Sequence, residues 1–241
     1  MTELWKLTVL LHRQKQNQSA RLQTFSLEIS PEEYVIDVVE RLWAFEDRSI
    51  TFRHACHHST CGACGMRVNN VEKLTCITKI REVTHNGGTL KIEPLRNFPV
   101  VSDVVVDLTP LYAKMELVQA QAVVSLRDAP AEGDDIRRDP DAPSDLLRLA
   151  DCIECGLCIS ACPAAATHPE YLGPAPLAAA QLNGVQSKPG LLALVDSAEG
   201  AWRCHSAYEC TAVCPSNVQP GWRIMDLRKQ IMVARVKALF K

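Results

Sequence analysis

Eleven cysteines in a chain of 241 residues constrain this sequence more than any other feature. They fall into three groups, at positions 56–76, 152–162 and 204–214. The number is odd, so full intramolecular pairing leaves one thiol over. At about 4.6% of the residues (11 of 241), cysteine also stays well below the ~8–10% of short disulfide scaffolds. Met1-Thr2-Glu3-Leu4-Trp5-Lys6 lacks the basic region and apolar core of a signal peptide. No stretch approaches the ~18 uninterrupted apolar residues of a membrane span. Val104-Val105-Val106 is bounded by Asp103 and Asp107, and Ile224 to Phe240 is interrupted by Asp226, Arg228, Lys229, Arg235 and Lys237. The expectation is a soluble, cytosolic chain whose thiols stay reduced and bind metal. The net charge of −2 and 22% charged residues are ordinary for a globular protein and give no pointer to nucleic acid.

Cys56-x4-Cys61-x2-Cys64-x11-Cys76 has the spacing of a plant-type 2Fe–2S site. Such a site needs four thiolates converging on two irons. A tight loop supplies three of them and a later segment returns the fourth. Gly62 and Gly65 interleave the ligands, allowing left-handed turns and close approach of backbone amides to sulfur. A zinc ribbon also wants four thiolates but usually presents two short C-x2-C knuckles, whereas Cys56 and Cys76 stand alone. His54, His57 and His58 flank the loop and could replace a cysteine. Beside four well-spaced cysteines they read as plain polar loop residues.

Cys152-x2-Cys155-x2-Cys158-x3-Cys162-Pro163 is the bacterial ferredoxin run, in which the fourth cysteine ligates the other cluster. The partner run reads Cys204-x2-Ala207-x2-Cys210-x3-Cys214-Pro215, with alanine in place of the second cysteine. Exchange of the fourth ligands assigns Cys152, Cys155, Cys158 and Cys214 to a 4Fe–4S cluster. Cys162, Cys204 and Cys210 remain for the other site. A methyl at Ala207 cannot bind iron, so three thiolates point to a 3Fe–4S cluster; the alternative is a 4Fe–4S cluster with water or another residue on its open iron. Four, four and three ligands use all eleven cysteines. Three clusters in series make a wire for single electrons. No Gly-x-Gly-x-x-Gly marks a dinucleotide site and no catalytic triad is recognisable, so flavin and substrate chemistry are assigned to another subunit.

The pattern around the cysteines is strand-rich in the first half and helix-rich in the second. Leu4 to Arg13 and the alternating Phe25, Leu27 and Ile29 suggest a hairpin. Ser30-Pro31-Glu32-Glu33 has the signature of a helix start, with Val35, Val38, Val39, Leu42 and Trp43 at helical spacing. Residues 50–53 are expected to form a strand. A second hairpin is expected from Met66-Arg67-Val68, a turn at Asn69-Asn70, and Leu74 to Ile77, with Thr89 to Glu93 closing the sheet. Asp107 to Val124 is helix-like, and three prolines among many charges mark 127–145 as an exposed loop. Beyond Ser144 the pattern is of short helices broken by Pro and Gly, with Gly173-Pro174-Ala175-Pro176 preceding a helix through Leu182.

A plant-type cluster loop followed by a split ferredoxin run lacking one cysteine resembles the iron–sulfur subunit of succinate dehydrogenase/fumarate reductase. The segment Glu93 to Asp107, Gly173-Pro174-Ala175, Trp202-Arg203-Cys204-His205 and Cys214-Pro215 share in the likeness, which covers essentially the whole chain. The resemblance implies an α+β N-terminal β-grasp domain of the plant-type 2Fe–2S ferredoxin kind over 1–106. A linking helix and exposed loop over 107–143 and an all-α helical ferredoxin domain over 144–241 follow. It implies electron flow from FAD in a flavoprotein subunit through the 2Fe–2S, 4Fe–4S and 3Fe–4S clusters to a quinone in a membrane anchor subunit that can carry haem b, or the reverse for fumarate reduction. The place implied is peripheral, on the cytoplasmic side of the inner or plasma membrane, within the tricarboxylic acid cycle and respiratory chain.

Near the quinone the sequence departs from the family. Many members place a serine soon after the ferredoxin-run Cys-Pro and a tryptophan five residues after that cysteine. Here Ala164 and Thr167 stand there and supply neither that hydroxyl nor an indole N–H. Pro163 and His205 do match quinone-proximal family positions; His205 also reads as a histidine beside a cluster ligand or on the surface. A thiol-driven soluble fumarate reductase is expected to carry a further cysteine-rich C-terminal domain. A free-standing multi-cluster ferredoxin is expected to be smaller and more acidic, and a structural zinc protein would not carry the ferredoxin runs.

Overall fold

The computed structural model describes residues 4–16, 18–120, 152–182, 185 and 188–239. In β1 (Trp5–Arg13), alternate side chains Leu7, Val9, Leu11 and Arg13 are buried, the period-two pattern of a strand with one face in a core. β1 pairs antiparallel with β2 (Arg21–Ile29) in full register, Trp5 opposite Ile29 and Arg13 opposite Arg21. β3 (Gly65–Val68) and β4 (Val71–Leu74) form a second hairpin. Its turn residues Asn69 and Asn70 both have positive φ, as a tight two-residue hairpin requires. β5 (Thr89–Glu93) runs parallel to β1 and antiparallel to β3, giving the order β2-β1-β5-β3-β4. The core joins the buried face of β1 to Leu90, Ile92, Met66 and Val68, and to Val35, Ile36, Val38 and Val39 of helix α1 (Val35–Arg41). Each such side chain contributes about 1.5–3 kcal/mol relative to exposure.

Four expectations for the sheet-bearing half need correction. The helix starts at Val35, not at Pro31, because Ser30 to Glu33 close a turn of their own: Ser30 N donates to Glu33 Oε2 at 3.0 Å and Glu33 N to Ser30 O at 3.1 Å. The next amides, Val35 N and Ile36 N, then donate to Thr78 O and Thr75 O. Residues 50–53 form no strand; Thr51 N donates to the Asp103 carboxylate at 2.8 Å, so a side chain takes the place of a ladder partner. The second arm of the second hairpin is Val71–Leu74, since a two-residue turn lets the strand resume at once. Thr89–Glu93 does not close the sheet but fills its centre, between β1 and β3.

After the short helix α2 (Ile80–Val83), the two-stranded ribbon β6 (Val100–Ser102) and β7 (Val105–Val106) leads to α3 (Thr109–Ala120). The loop expected at 127–145 lies outside the described residues. Among the described residues the expected short helices follow, α4 (Leu157–Ala161), α5 (Pro163–Thr167), α6 (Pro174–Leu182), α7 (Pro189–Val195) and α8 (Glu209–Ala212), and then the long α9 (Pro220–Leu239). Pro174 opens α6 rather than preceding it, as suits a first-turn position with no amide to satisfy.

The chain divides into two compact units, Met1–Pro110 with Ile153–Ala161, and Leu111–Cys152 with Cys162–Lys241. The first holds the sheet, α1 and α4. The second is helical, with a core of Val118, Tyr171, Leu177, Leu191, Val195, Ile224, Leu227 and Ile231. Among the described residues no helix is long and apolar enough to cross a membrane.

Candidate metal centres

The first centre sits at the mouth of the β3–β4 hairpin. Cys64 immediately precedes β3, and Cys76 follows β4 by two residues. Thr75 locks the two ends together, donating from its N and its Oγ1 to Cys64 O at 3.2 and 2.8 Å. Cys64 and Cys76 are buried, whereas Cys56 and Cys61 lie nearer the surface. Cys56 Sγ accepts the amides of Thr60 at 3.4 Å and His58 at 3.5 Å. Hydrogen bonds from the Thr60 hydroxyl and the His58 amide, joined by Cys61, push its thiol down to about 5. Burial, with Cys64 and Cys56 close by, pushes Cys76 up to about 12. A cation shared by these thiols would offset the opposition at Cys76 and let it deprotonate.

Two glycines set the packing of this loop. Gly62 has φ of +71°, and a Cβ there would lie 2.9 Å from Cys155 Cβ and 3.0 Å from Ile153 O. A Cβ on Gly65 would lie 3.3 Å from Cys155 O. The first-centre loop therefore rests on the Ile153–Cys155 backbone within one unit. Of the second set of cysteines, Cys155 and Cys158 belong to this first unit. Cys152 and Cys214 belong to the second, where both pack against Ala178 and Val218 and Cys214 Sγ accepts Val218 N at 3.4 Å.

In the second unit, Cys162, Cys204 and Cys210 line one cavity together with Pro163, Tyr171, His205, Ala207 and Tyr208. Cys204 Sγ accepts Ser206 N at 3.3 Å. Burial, then the charges of Cys162 and Cys204, push Cys210 up to about 12; burial also raises Cys162 against the pull of the Ala165 and Ala164 amides. Ala207 lines this cavity with the three thiols, at the position where the run's spacing calls for a fourth cysteine. Ser206 and Tyr208, on either side of it, both have positive φ. From α9, Arg228 fixes the entry to this loop, donating from Nε to Ala201 O at 2.9 Å and from Nη2 to Cys204 O at 2.5 Å.

The expected quinone-proximal residues His205 and Pro163 both reach this cavity. Thr167 is exposed, its Oγ1 donating back to Ala164 O at 3.3 Å within the same short helix, and Ala164 is fully buried. Sequence reasoning missed Tyr171. It is 1% exposed, and burial together with the charges of Cys204, Cys162 and Cys210 raises its phenol. No motif surrounds it, so nothing in the one-dimensional pattern could have marked it.

Fold and thiol geometry together define an iron–sulfur electron-transfer protein. Residues 6–113 match the 2Fe-2S iron-sulfur cluster binding domain and residues 148–218 the 4Fe-4S dicluster domain. The chain is 32% identical to the fumarate reductase iron–sulfur subunit of Mycobacterium tuberculosis, over 97% of this chain and 95% of that one. It is 31% identical to the mitochondrial succinate dehydrogenase [ubiquinone] iron–sulfur subunit of Candida glabrata, over 82% and 78% respectively. A solved chain of the Mycobacterium smegmatis Sdh1 complex in the apo form shares its fold, with a TM-score of 0.76 and 21% identity, covering 97% of this chain and 98% of that one. The chain belongs to the fumarate reductase/succinate dehydrogenase iron–sulfur subunit family and serves as an electron-transfer subunit of such an oxidoreductase.

Proposed function

We propose that Cys56, Cys61, Cys64 and Cys76 hold a 2Fe–2S cluster. Cys152, Cys155, Cys158 and Cys214 hold a 4Fe–4S cluster, and Cys162, Cys204 and Cys210 a 3Fe–4S cluster. When bound, the clusters supply one-electron transfer. The chain carries electrons between an FAD-containing flavoprotein subunit and a quinone on a membrane anchor, which can carry haem, in either direction. It lies at the membrane surface through that anchor and takes no part in substrate chemistry itself. The N-terminal unit is a β-grasp domain and the C-terminal one a helical ferredoxin domain, with boundaries near 106 and 144. In support, the mixed sheet has parallel β1 and β5 at its centre with α1 over its buried face.

Within this reading the protein's own residues tune and shelter the clusters. The amides of His58 and Thr60 donate to Cys56, that of Ser206 to Cys204 and that of Val218 to Cys214, so a backbone N–H is aimed at one sulfur of each centre. Tyr171 presents its hydroxyl among the Cys162, Cys204 and Cys210 sulfurs. His205 and Pro163, at the same cavity, are the residues nearest a quinone in this reading.

Ala207 among three thiols is the observation that carries the assignment. The cluster-loaded protein is expected to contain about nine irons per chain by ligand count and to give an oxidised 3Fe–4S signal in low-temperature electron paramagnetic resonance. Ala207→Cys should raise the iron to about ten, remove that signal and lower the potential of the third centre. Unchanged spectra and iron in that variant would overturn the ligand assignment.

A further inference from the structure

Glu40, His54 and His57 bring three ligand atoms together outside every cysteine group. His54 Nδ1 lies 3.3 Å and His57 Nε2 3.5 Å from Glu40 Oε1, and the two imidazole nitrogens are 2.7 Å apart. All three residues belong to the sheet-bearing unit, Glu40 on α1 and the histidines on the segment entering the first cysteine loop. We propose that they form a binding site for a divalent cation of the zinc type, separate from the iron–sulfur centres.

Two observations carry this. Glu40 Oε1 is buried and accepts no hydrogen bond, although two imidazole nitrogens stand close to it. A buried carboxylate oxygen without a donor is costly, and the two nitrogens nearest it spend the N–H between them on each other, His54 Nδ1 and His57 Nε2 sharing a hydrogen bond at 2.7 Å; a cation in place of that shared proton would satisfy all three atoms. The spacing also fits. Tetrahedral zinc with bonds of about 2.0–2.2 Å puts neighbouring ligand atoms about 3.3 Å apart. Two of the three separations match, and the shorter His–His distance reaches that value by a small rotation of one partly exposed ring. The backbone makes the arrangement possible. His57 has φ of +58°, an uncommon conformation for a residue with a side chain, and in it the ring meets His54 edge-on at a centroid distance of 4.9 Å. His54 is itself stacked on Phe52, at 5.2 Å between centroids.

Two imidazoles and one carboxylate, with coordination positions left to water, suit zinc and neighbouring divalent transition ions rather than calcium or magnesium, which prefer all-oxygen shells. A bound cation would tie α1 to the segment that carries Cys56. It is a clamp on the rim of the first centre and does not depend on which cysteines hold which cluster.

The test is zinc content and affinity of the full-length, cluster-loaded chain, by equilibrium dialysis against Zn²⁺ with metal analysis of zinc and iron together. One zinc per chain is expected in addition to unchanged cluster iron. His57→Ala and Glu40→Gln should each weaken that binding by more than tenfold, since even an outer partner of a metal ligand is worth about 10–100-fold. Glu40→Gln keeps the side-chain shape, so its result stands if His57→Ala folds poorly. Three outcomes would overturn the proposal: no zinc above the level bound by the variants, equal binding by wild type and both variants, or zinc taken up only as iron is lost. The last would place the metal on cysteine thiolates.

Discussion

Asp103 shows what one buried charge does in this protein. It is fully buried with φ of +50°, and its carboxylate accepts from Arg13 Nε at 3.2 Å, Gln14 N at 3.0 Å, Lys15 Nζ at 2.6 Å and Thr51 N at 2.8 Å. Arg13, the last residue of the buried face of β1, also donates to Asp47, Gln23 and Ser49. A buried charge left without its partner costs more than the pair contributes. Asp103→Ala is therefore expected to destabilise the protein by about 3–5 kcal/mol, read from the urea midpoint at neutral pH. Burial on its own would raise the Asp103 carboxyl, but the Lys15, Thr51, Gln14 and Arg13 contacts hold it below the usual carboxylate range. Asp47 is held down as well, by Ser49 and Arg13. Folded values below the unfolded ~3.9 mean that this stabilisation is present above about pH 4 and is lost as pH falls through the folded values. The gap between wild type and Asp103→Ala should narrow below about pH 4; a constant gap down to the acid transition would exclude the carboxylate as its source.

At the scale of elements, Gly62 links the first cysteine loop to the Ile153–Cys155 backbone. An added Cβ would meet backbone and side-chain atoms at 2.9–3.0 Å, and φ of +71° strains any side chain there. Gly62→Ala should lower the thermal midpoint by a few degrees, on the order of 1–3 kcal/mol. The loss should fall first on the 2Fe–2S visible absorption, because the displaced loop carries Cys61 and Cys64. Equal retention of that absorption by variant and wild type would show that the loop relaxes freely. This contact also shows where sequence reading stops. The three cysteine patterns, the first hairpin and the short helices were legible because spacing and periodicity are local. The helix start was misplaced because Ser30-Pro31-Glu32-Glu33 satisfies its amides in a separate turn, and 50–53 looked like a strand until Asp103 took its ladder partner. The central place of β5, the burial of Tyr171 and the meeting of Glu40 with His54 and His57 depend on residues distant in sequence, and no local pattern encodes them.

At the scale of the molecule, chain order and compact units do not coincide. Ile153–Ala161 comes after α3 yet belongs to the sheet-bearing unit, while the flanking Cys152 and Cys162 belong to the helical one. Within that excursion α4 is buried along its whole length. Ser160 Oγ donates to Glu72 Oε1 at 2.8 Å and accepts from Arg96 N at 2.8 Å, and Asn97 Nδ2 donates to Ile159 O at 2.7 Å. Glu72 is itself 4% exposed, so its carboxylate depends on the Ser160 hydroxyl and on Arg96 Nη2 at 3.2 Å. The sheet-bearing unit is therefore incomplete without α4. A fragment ending at residue 120 would lose α4 from beside β4 and leave Glu72 short of one donor. It should unfold at lower urea than the same unit in the full chain, followed by circular dichroism, and bind a hydrophobic dye where the full chain does not. Ser160→Ala in the full chain isolates the polar part of that loss and should cost about 1–3 kcal/mol, the penalty for a buried group left unsatisfied. If the fragment matched the full chain in midpoint and dye binding, α4 would be only a passenger on the first unit. Weakening in both would mean that the segment delivering Cys155 and Cys158 is also what completes the fold beneath the first centre. In that case a ligand run could not detach from the sheet without unfolding part of it.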